Sequence, residues 1–271
     1  MRITRARRMA GGEQILGDAA LRAAAERYLN FAVPALGHGT VRDYCDSADH
    51  LAALATRNGD LKDLQRPWMV KAVLGVARGR RGRLLEIGAG EPLVADLLRR
   101  LGHEVWVVDP YDGSGNGPTE YQQFRARYPQ LRFVREQFGE TSSHLKPASF
   151  DCIYSISVLE HIPEPGVRDV MAGMKRFLQP EGTSLHAVDH VLRGRGDGEH
   201  LARLRLMVRG WGLGDEELDR ALAETSADID TYYLSAESHN RWRNGVPYDD
   251  FPMRVCVSVQ ACTPARSLRV S

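Results

Sequence analysis

Glu86–Ile87–Gly88–Ala89–Gly90 sets an acid and two glycines at the end of a short apolar run. Glycines at 88 and 90 let the backbone turn tightly and admit a ligand where a Cβ would stand. The Glu86 carboxylate, two residues before the first glycine, faces that turn and suits a cationic amine. Asp109 closes the next apolar run, about 20 residues after Gly88. An acid so placed can grip both hydroxyls of a ribose, because one carboxylate accepts two such bonds. The plainer role is to cap its own turn. A dinucleotide fingerprint needs a third glycine at position 93, where this chain has Leu93. That residue disfavours an NAD-dependent oxidoreductase.

A second set lies further along. Glu160–His161 follows the fourth apolar run and Asp189–His190 closes the fifth. Histidine titrates near neutrality, and a carboxylate beside it can orient it for proton transfer. Strand alternation puts His186, Val188 and His190 on one face, and Ala187, Asp189 and Val191 on the other. Asp189 and His190 therefore point together only if the strand has already ended. His186 is mid-strand and is expected to pack in the sheet. Arg193–Gly194–Arg195 follows and could meet an anion or be a solvated turn. The segment Tyr232–Arg243 is rich in aromatic and hydrogen-bonding groups, and suits either a pocket-closing segment or an exposed loop.

These groups need elements to hold them. Residues 15–33 read as a helix broken at Pro34 and Gly37–His38–Gly39. A second helix is expected over 47–56 with Ser47 as its N-cap, and a third over 67–78 with Pro67 first. Short apolar runs at 83–90, 104–110, 131–135, 150–156 and 183–191 then read as buried strands. Helices at 93–101, 118–128 and 167–178 separate them. Strands alternating with helices of about 10 residues mean βαβ units and a parallel, doubly wound sheet. Residues 199–226 read as helical, interrupted by glycines. Residues 229–238 and 253–263 read as closing strands.

The chain has 271 residues, 43% hydrophobic, enough for a sizeable core, with a net charge of +1 that gives no support to a nucleic-acid coat. No apolar run reaches the ~18 residues of a membrane span. Cys45, Cys152, Cys256 and Cys262 form no CxxC pair, so free thiols in a reducing, cytoplasmic setting are expected and a structural metal is not. The basic start MRITRARRMAGG lacks the apolar core of a secretory signal and reads as a short frayed terminus.

In order, LLEIGAGEP, VVDP, FDCIYSISVLEHIPEP and FLQPEG resemble the class I S-adenosylmethionine-dependent methyltransferases of small molecules, over about residues 80–191. The resemblance implies a Rossmann-like α/β fold with a seven-stranded sheet and one antiparallel strand. It implies that Glu86 and the Gly88–Ala89–Gly90 turn hold the methionine part of the cofactor and Asp109 the ribose. Pro110 and Tyr111 would flank the adenine. Glu136–Gln137–Phe138 lies where an adenine-binding acid usually sits, but the usual Gly-Asp pair is absent there. Which of Glu136 and Gln137 meets the adenine amine stays open. Ser155 and Ile156, ending the fourth strand, are expected to border the cofactor.

With the cofactor over strands one to three, the ends of strands four and five face the acceptor. His190, His161 and Asp189 are the catalytic candidates, for a base that takes a proton as oxygen attacks the methyl. The expected organisation is an N-terminal helical cap over residues 1–80 and a cofactor-binding methyltransferase domain over 81–271. Tyr28, Tyr44 and Trp68 are expected to wall the pocket. The expected partner is a small-molecule methyl acceptor, with no metal, nucleic acid or membrane, and a homodimer is compatible. O-methylation is favoured over N- or C-methylation. A non-catalytic cofactor-binding protein of the same fold is the rival from another class.

Overall fold

From Arg83 onward, apolar strands and amphipathic helices alternate, and they build one seven-stranded sheet. The structure, a computed structural model, describes residues 18–57, 60–114, 117–193, 197–234 and 255–269. The strands are β1 (Leu36–His38), β2 (Arg83–Ile87), β3 (Glu104–Val108), β4 (Arg132–Val134), β5 (Phe150–Ile156), β6 (Leu178–Arg193) and β7 (Val255–Pro264). Their order is β1-β7-β6-β5-β2-β3-β4. β2 to β6 run parallel, and β7 runs against both of its neighbours, β6 and β1. The fold is therefore the doubly wound, Rossmann-like sheet with one antiparallel strand. No helix among the described residues is long and apolar enough to cross a membrane.

Each face of the sheet buries its own helical layer. Leu85, Ile87, Ile153 and Val188 pack under α7 (Glu164–Phe177) and α8 (Asp197–Gly210), with Met174, Phe177, Met207 and Trp211. Leu84, Tyr154, Leu185 and Ala187 face the opposite layer, with Leu21 of α1 (Asp18–Arg27), Trp68 and Met69 of α4 (Lys62–Ala77) and Leu98 of α5 (Leu93–Arg100). Side chains on successive strand positions point to opposite faces, and this alternation sorts the two sets.

The N-terminal region differs from the sequence reading in three places. The helix expected over 47–56 begins earlier, as α2 (Val41–His50), and is followed by α3 (Ala52–Ala55). Thr40 caps α2: its hydroxyl accepts from the Asp43 N–H at 3.1 Å, while the Asp43 carboxylate accepts from the Thr40 N–H at 3.0 Å. Ser47 sits inside the helix and donates to the Asp43 carbonyl. The helix expected from Pro67 begins at Lys62, where Asp60 accepts the Lys62 N–H at 2.9 Å. Pro67 removes one helical hydrogen bond, and the helix holds because nearly all its surface is buried.

The third difference is the sheet edge. Leu36–His38, overlapping the Gly37–His38–Gly39 segment read as a helix break, is strand β1 and pairs with β7. Of the strand expected over 229–238, the described part makes only isolated bridges, Thr231 to Thr40 and Leu234 to Cys256. The Gly37–His38–Gly39 signal marks close packing, since a Cβ on Gly39 would stand 2.3 Å from the Leu64 side chain. Residues before 80 thus supply an edge strand as well as helices over one face.

Candidate functional site

The carboxyl ends of β2, β3, β5 and β6 converge at one end of the sheet. β2 ends at Ile87, and the turn beyond it has Gly88 at φ +65° and Gly90 at φ +55°. A Cβ on Gly88 would also strike the Val158 side chain at 2.7 Å, so the turn lies directly against the loop after β5. A Cβ on Gly90 would have nothing nearer than 3.9 Å, so space is open above it. Ala89 between them is half-buried.

Glu86 points to the α4 face and is only 3% exposed. Tyr154 donates its hydroxyl to Oε2 at 3.1 Å. Burial pushes the carboxyl up to about 8, against the pull of Tyr154 and the Arg66 charge. Asp109 is also buried, and its pKa is raised by burial. Its Oδ1 accepts from the Tyr111 N–H at 2.8 Å and its Oδ2 from the Gly90 N–H at 3.2 Å. The carboxylate therefore clamps the two turns together and keeps further lone pairs for a ligand.

Of the residues expected at the adenine wall, Tyr111 and Phe138 turn inward. Tyr111, at φ +48°, is 1% exposed and sits against Tyr121, Phe124 and Phe133, with its hydroxyl donating to the Gly90 carbonyl at 3.0 Å. Its ring is a buried prop under the glycine turn, and the preceding Pro110 is half-buried. Phe138 turns its ring into the core beside Phe177, and Glu136 accepts from Ser143. Gln137 is exposed. The Ser155 hydroxyl is fully buried and bonds His186 Nδ1 at 2.8 Å, on the face away from Glu86. Ile156 packs on the α4 face.

The side expected to face the acceptor is built by β6, the loop after β5, and α4. Gln65 donates Nε2 to Asp189 Oδ1 at 2.8 Å. Glu160, 2% exposed, accepts the Asp189 N–H on Oε1 at 2.8 Å. β5 ends at Ile156, opposite Ala187, so the Glu160 carboxylate takes the place of the missing strand neighbour at Asp189. Burial and the Asp189 charge push Glu160 up to about 8. Burial raises Asp189 as well, opposed by the Gln65 bond and by the His161 and Lys62 charges. His161 is exposed and ends the short turn Leu159–His161. The next α4 residue, Arg66, lies near Glu86, so adjacent residues of one helix reach both halves of the site.

The structure separates His190 from Asp189. β6 stays in register with β7 through Val191, and the register shifts only beyond it, so alternation still holds at 189 and 190. His190 faces the α8 side, 2% exposed, and burial pulls its imidazole down to about 4. His186 stacks on Trp211 at 5.4 Å and is likewise pulled down, to about 3. Tyr28 and Trp68, expected as pocket walls, are core residues, and Tyr28 donates to Asp46, which also pairs with buried Lys71. Tyr44 packs at a tilt against Tyr232, with ring centroids 5.4 Å apart. The Arg193–Gly194–Arg195 side chains and residues 235–243 lie outside the described residues.

The shifted groups imply a pH dependence. A buried acid with a raised pKa stabilises the fold when protonated and loses that contribution as pH rises through its folded value. Ordinary histidines are about half titrated near pH 6.5 and nearly neutral by about 7.5, so their opposing contribution fades across this range and Glu86 and Glu160 dominate up to about 8. Ligand-free protein is expected to lose thermal stability between pH 6.5 and 8. Glu160→Gln should flatten that loss, and denaturation followed by circular dichroism across this range checks it. A Tm that rises with pH would contradict the buried-acid geometry.

Comparison with known proteins adds the following. The family model described as "Methyltransferase domain" matches residues 39–225. A ubiquinone biosynthesis O-methyltransferase of Nitrosococcus oceani is 31% identical over 101 residues, covering 37% of this chain and 40% of that protein. One of Agrobacterium fabrum is 26% identical over 161 residues, covering 54% and 60%. The chain thus aligns with about half the length of these curated relatives. A 1,6-didemethyltoxoflavin-N1-methyltransferase of Burkholderia thailandensis, solved with S-adenosylhomocysteine, is similar at 18% identity with a TM-score of 0.43, over 93% of both chains.

Proposed function

The chain belongs to the methyltransferase domain family, and on that premise we propose that it moves a methyl group from S-adenosylmethionine to an oxygen of a small molecule, with Asp189 as proton acceptor. The residues present fit that cofactor. The space above Gly90 is open, and the nearby donor set is two buried carboxyls, Glu86 for a cationic group and Asp109 for hydroxyls. When bound, the cofactor supplies a methyl group already activated by the sulfonium charge. This chain's part is to hold, orient and deprotonate.

The observation that carries the proposal is the Gln65–Asp189–Glu160 arrangement. Asp189 keeps one carboxylate oxygen that Gln65 does not occupy, and burial raises its pKa, which makes it a stronger base than an exposed aspartate. Gln65 orients that carboxyl. Glu160 fixes the Asp189 backbone, and the nearby His161, when protonated, favours the ionised form of Asp189. The printed name of the curated relatives, an O-methyltransferase, supports oxygen as the methylated atom. Pro110, Tyr111, Glu136, Gln137 and Phe138 are proposed to border the adenine, Tyr111 and Phe138 mainly as buried props. Ser155 and Ile156 are proposed to border the cofactor through their backbone.

The test is turnover. Purified protein, S-adenosylmethionine and a panel of small phenols, alcohols and amines are followed by S-adenosylhomocysteine release, with the methylated atom located by NMR. Turnover on a hydroxylated acceptor, rising with pH as Asp189 ionises, is expected. Methylation confined to amines, or cofactor binding with no turnover on any acceptor, would contradict the proposal.

A further inference from the structure

On the far face of β6 from Asp189, a solvent-open cleft of about 470 Å³ lies between the strand and the α8–α9 pair, where α9 is Asp215–Ala227. That volume is in the usual range for small-molecule sites. Its apolar wall is Leu192 of β6, Leu201 of α8 and Leu222 of α9, and polar atoms make up a comparable share of the lining. Among the described residues, two polar side chains stand beside the leucines. Ser226 on the rim donates to the Leu222 carbonyl at 3.1 Å, which leaves its oxygen free to accept. His190 at the strand is 2% exposed, and its Nδ1 has no hydrogen-bond partner among the described residues.

A buried ring nitrogen without a partner is an unmet demand, because buried polar groups are ordinarily paired. The imidazole is held neutral by burial, so Nδ1 is a donor in one tautomer and an acceptor in the other. A hydroxyl group meets either case. An ammonium or a carboxylate would meet only one and would bring a charge against leucine walls. The site is distinct from the methyl-transfer site, since alternation along β6 sends Asp189 to α4 and His190 to α8.

We propose that this cleft binds a second small molecule, a largely apolar body carrying one hydroxyl group, seated with the hydroxyl on His190.

Full-length protein carrying labelled leucine methyls is titrated with phenol, cyclohexanol and toluene. Saturable shifts at Leu201 and Leu222 are expected, with phenol or cyclohexanol binding at least fivefold more tightly than toluene. Whichever of the two binds more tightly decides whether the body is aromatic or aliphatic. His190→Leu, which keeps the bulk and removes the ring nitrogens, should abolish or reverse the preference over toluene. Ser226→Trp, at an exposed helix position, should block all three probes while S-adenosylhomocysteine affinity stays within twofold. Absence of saturable shifts overturns the proposal. So does an unchanged preference in His190→Leu, or loss of phenol binding in Asp189→Asn, which would place the probe in the methyl-transfer site.

Discussion

Asp109→Ala is expected to weaken S-adenosylhomocysteine binding by more than tenfold. The carboxylate stands at the end of β3 with one oxygen on the Gly90 N–H and the other on the Tyr111 N–H. The substitution therefore removes the proposed ribose acceptor and also unclamps the glycine turn. Hydrogen bonds to a charged partner contribute roughly 1.5–3 kcal/mol each, so a single lost bond already accounts for about tenfold. Asp109→Asn separates the two roles. The amide can still accept from Tyr111, but its NH2 cannot accept from Gly90, and one ribose bond is lost. Calorimetry should rank wild type, Asn and Ala in falling affinity. Wild-type affinity in the alanine variant, or a preference for NAD, would remove Asp109 and the cofactor assignment together.

Asp189→Asn should lower kcat by about 10²–10⁴, the range for loss of a general base, while leaving cofactor affinity within twofold. Asparagine keeps the shape and the Gln65 contact, and it cannot take a proton. The wild-type rate should rise with pH through the Asp189 transition, which burial raises from the usual aspartate value. Gln65→Ala removes the bond that favours the ionised form, so the transition should move to higher pH, with a smaller loss of kcat at its plateau. A purely structural role for Gln65 would lower stability and leave that profile in place. Unchanged kcat in Asp189→Asn on the true acceptor would exclude Asp189 from the chemistry. His190→Leu should leave kcat and cofactor affinity near wild type, because His190 faces the other side of the sheet.

Much of the sheet was legible from composition along the chain. β2, β3 and β5 appear as short apolar runs with turn residues after them, and β5 spans the same residues, 150–156, in sequence and structure. The cofactor candidates Glu86, Gly88, Gly90 and Asp109 were legible for the same reason. They lie in consecutive strand–turn units, where spacing alone puts them at one sheet end. The N-terminal region was less legible. Pro67 suggested a helix start, but burial of the surrounding residues overrides the missing hydrogen bond. Gly37 and Gly39 suggested a break, but they allow an edge strand to approach Leu64.

The sequence by itself determined the parallel sheet and the glycine turn with its two acids, and it made the facing of Asp189 and His190 depend on where the strand ends. These follow from local periodicity, in which a strand alternates every second residue and a βα unit repeats. Only the tertiary structure decided which of those groups meet. Gln65 lies 124 positions from Asp189, and no local signal beyond a polar residue in an otherwise buried helix marks it. The Glu160 carboxylate reaches the Asp189 N–H because β5 stops where β6 continues, and β6 continues because β7 pairs with it to Arg193. Such contacts depend on where elements distant in sequence dock, and docking is set by the burial of whole helical and sheet faces.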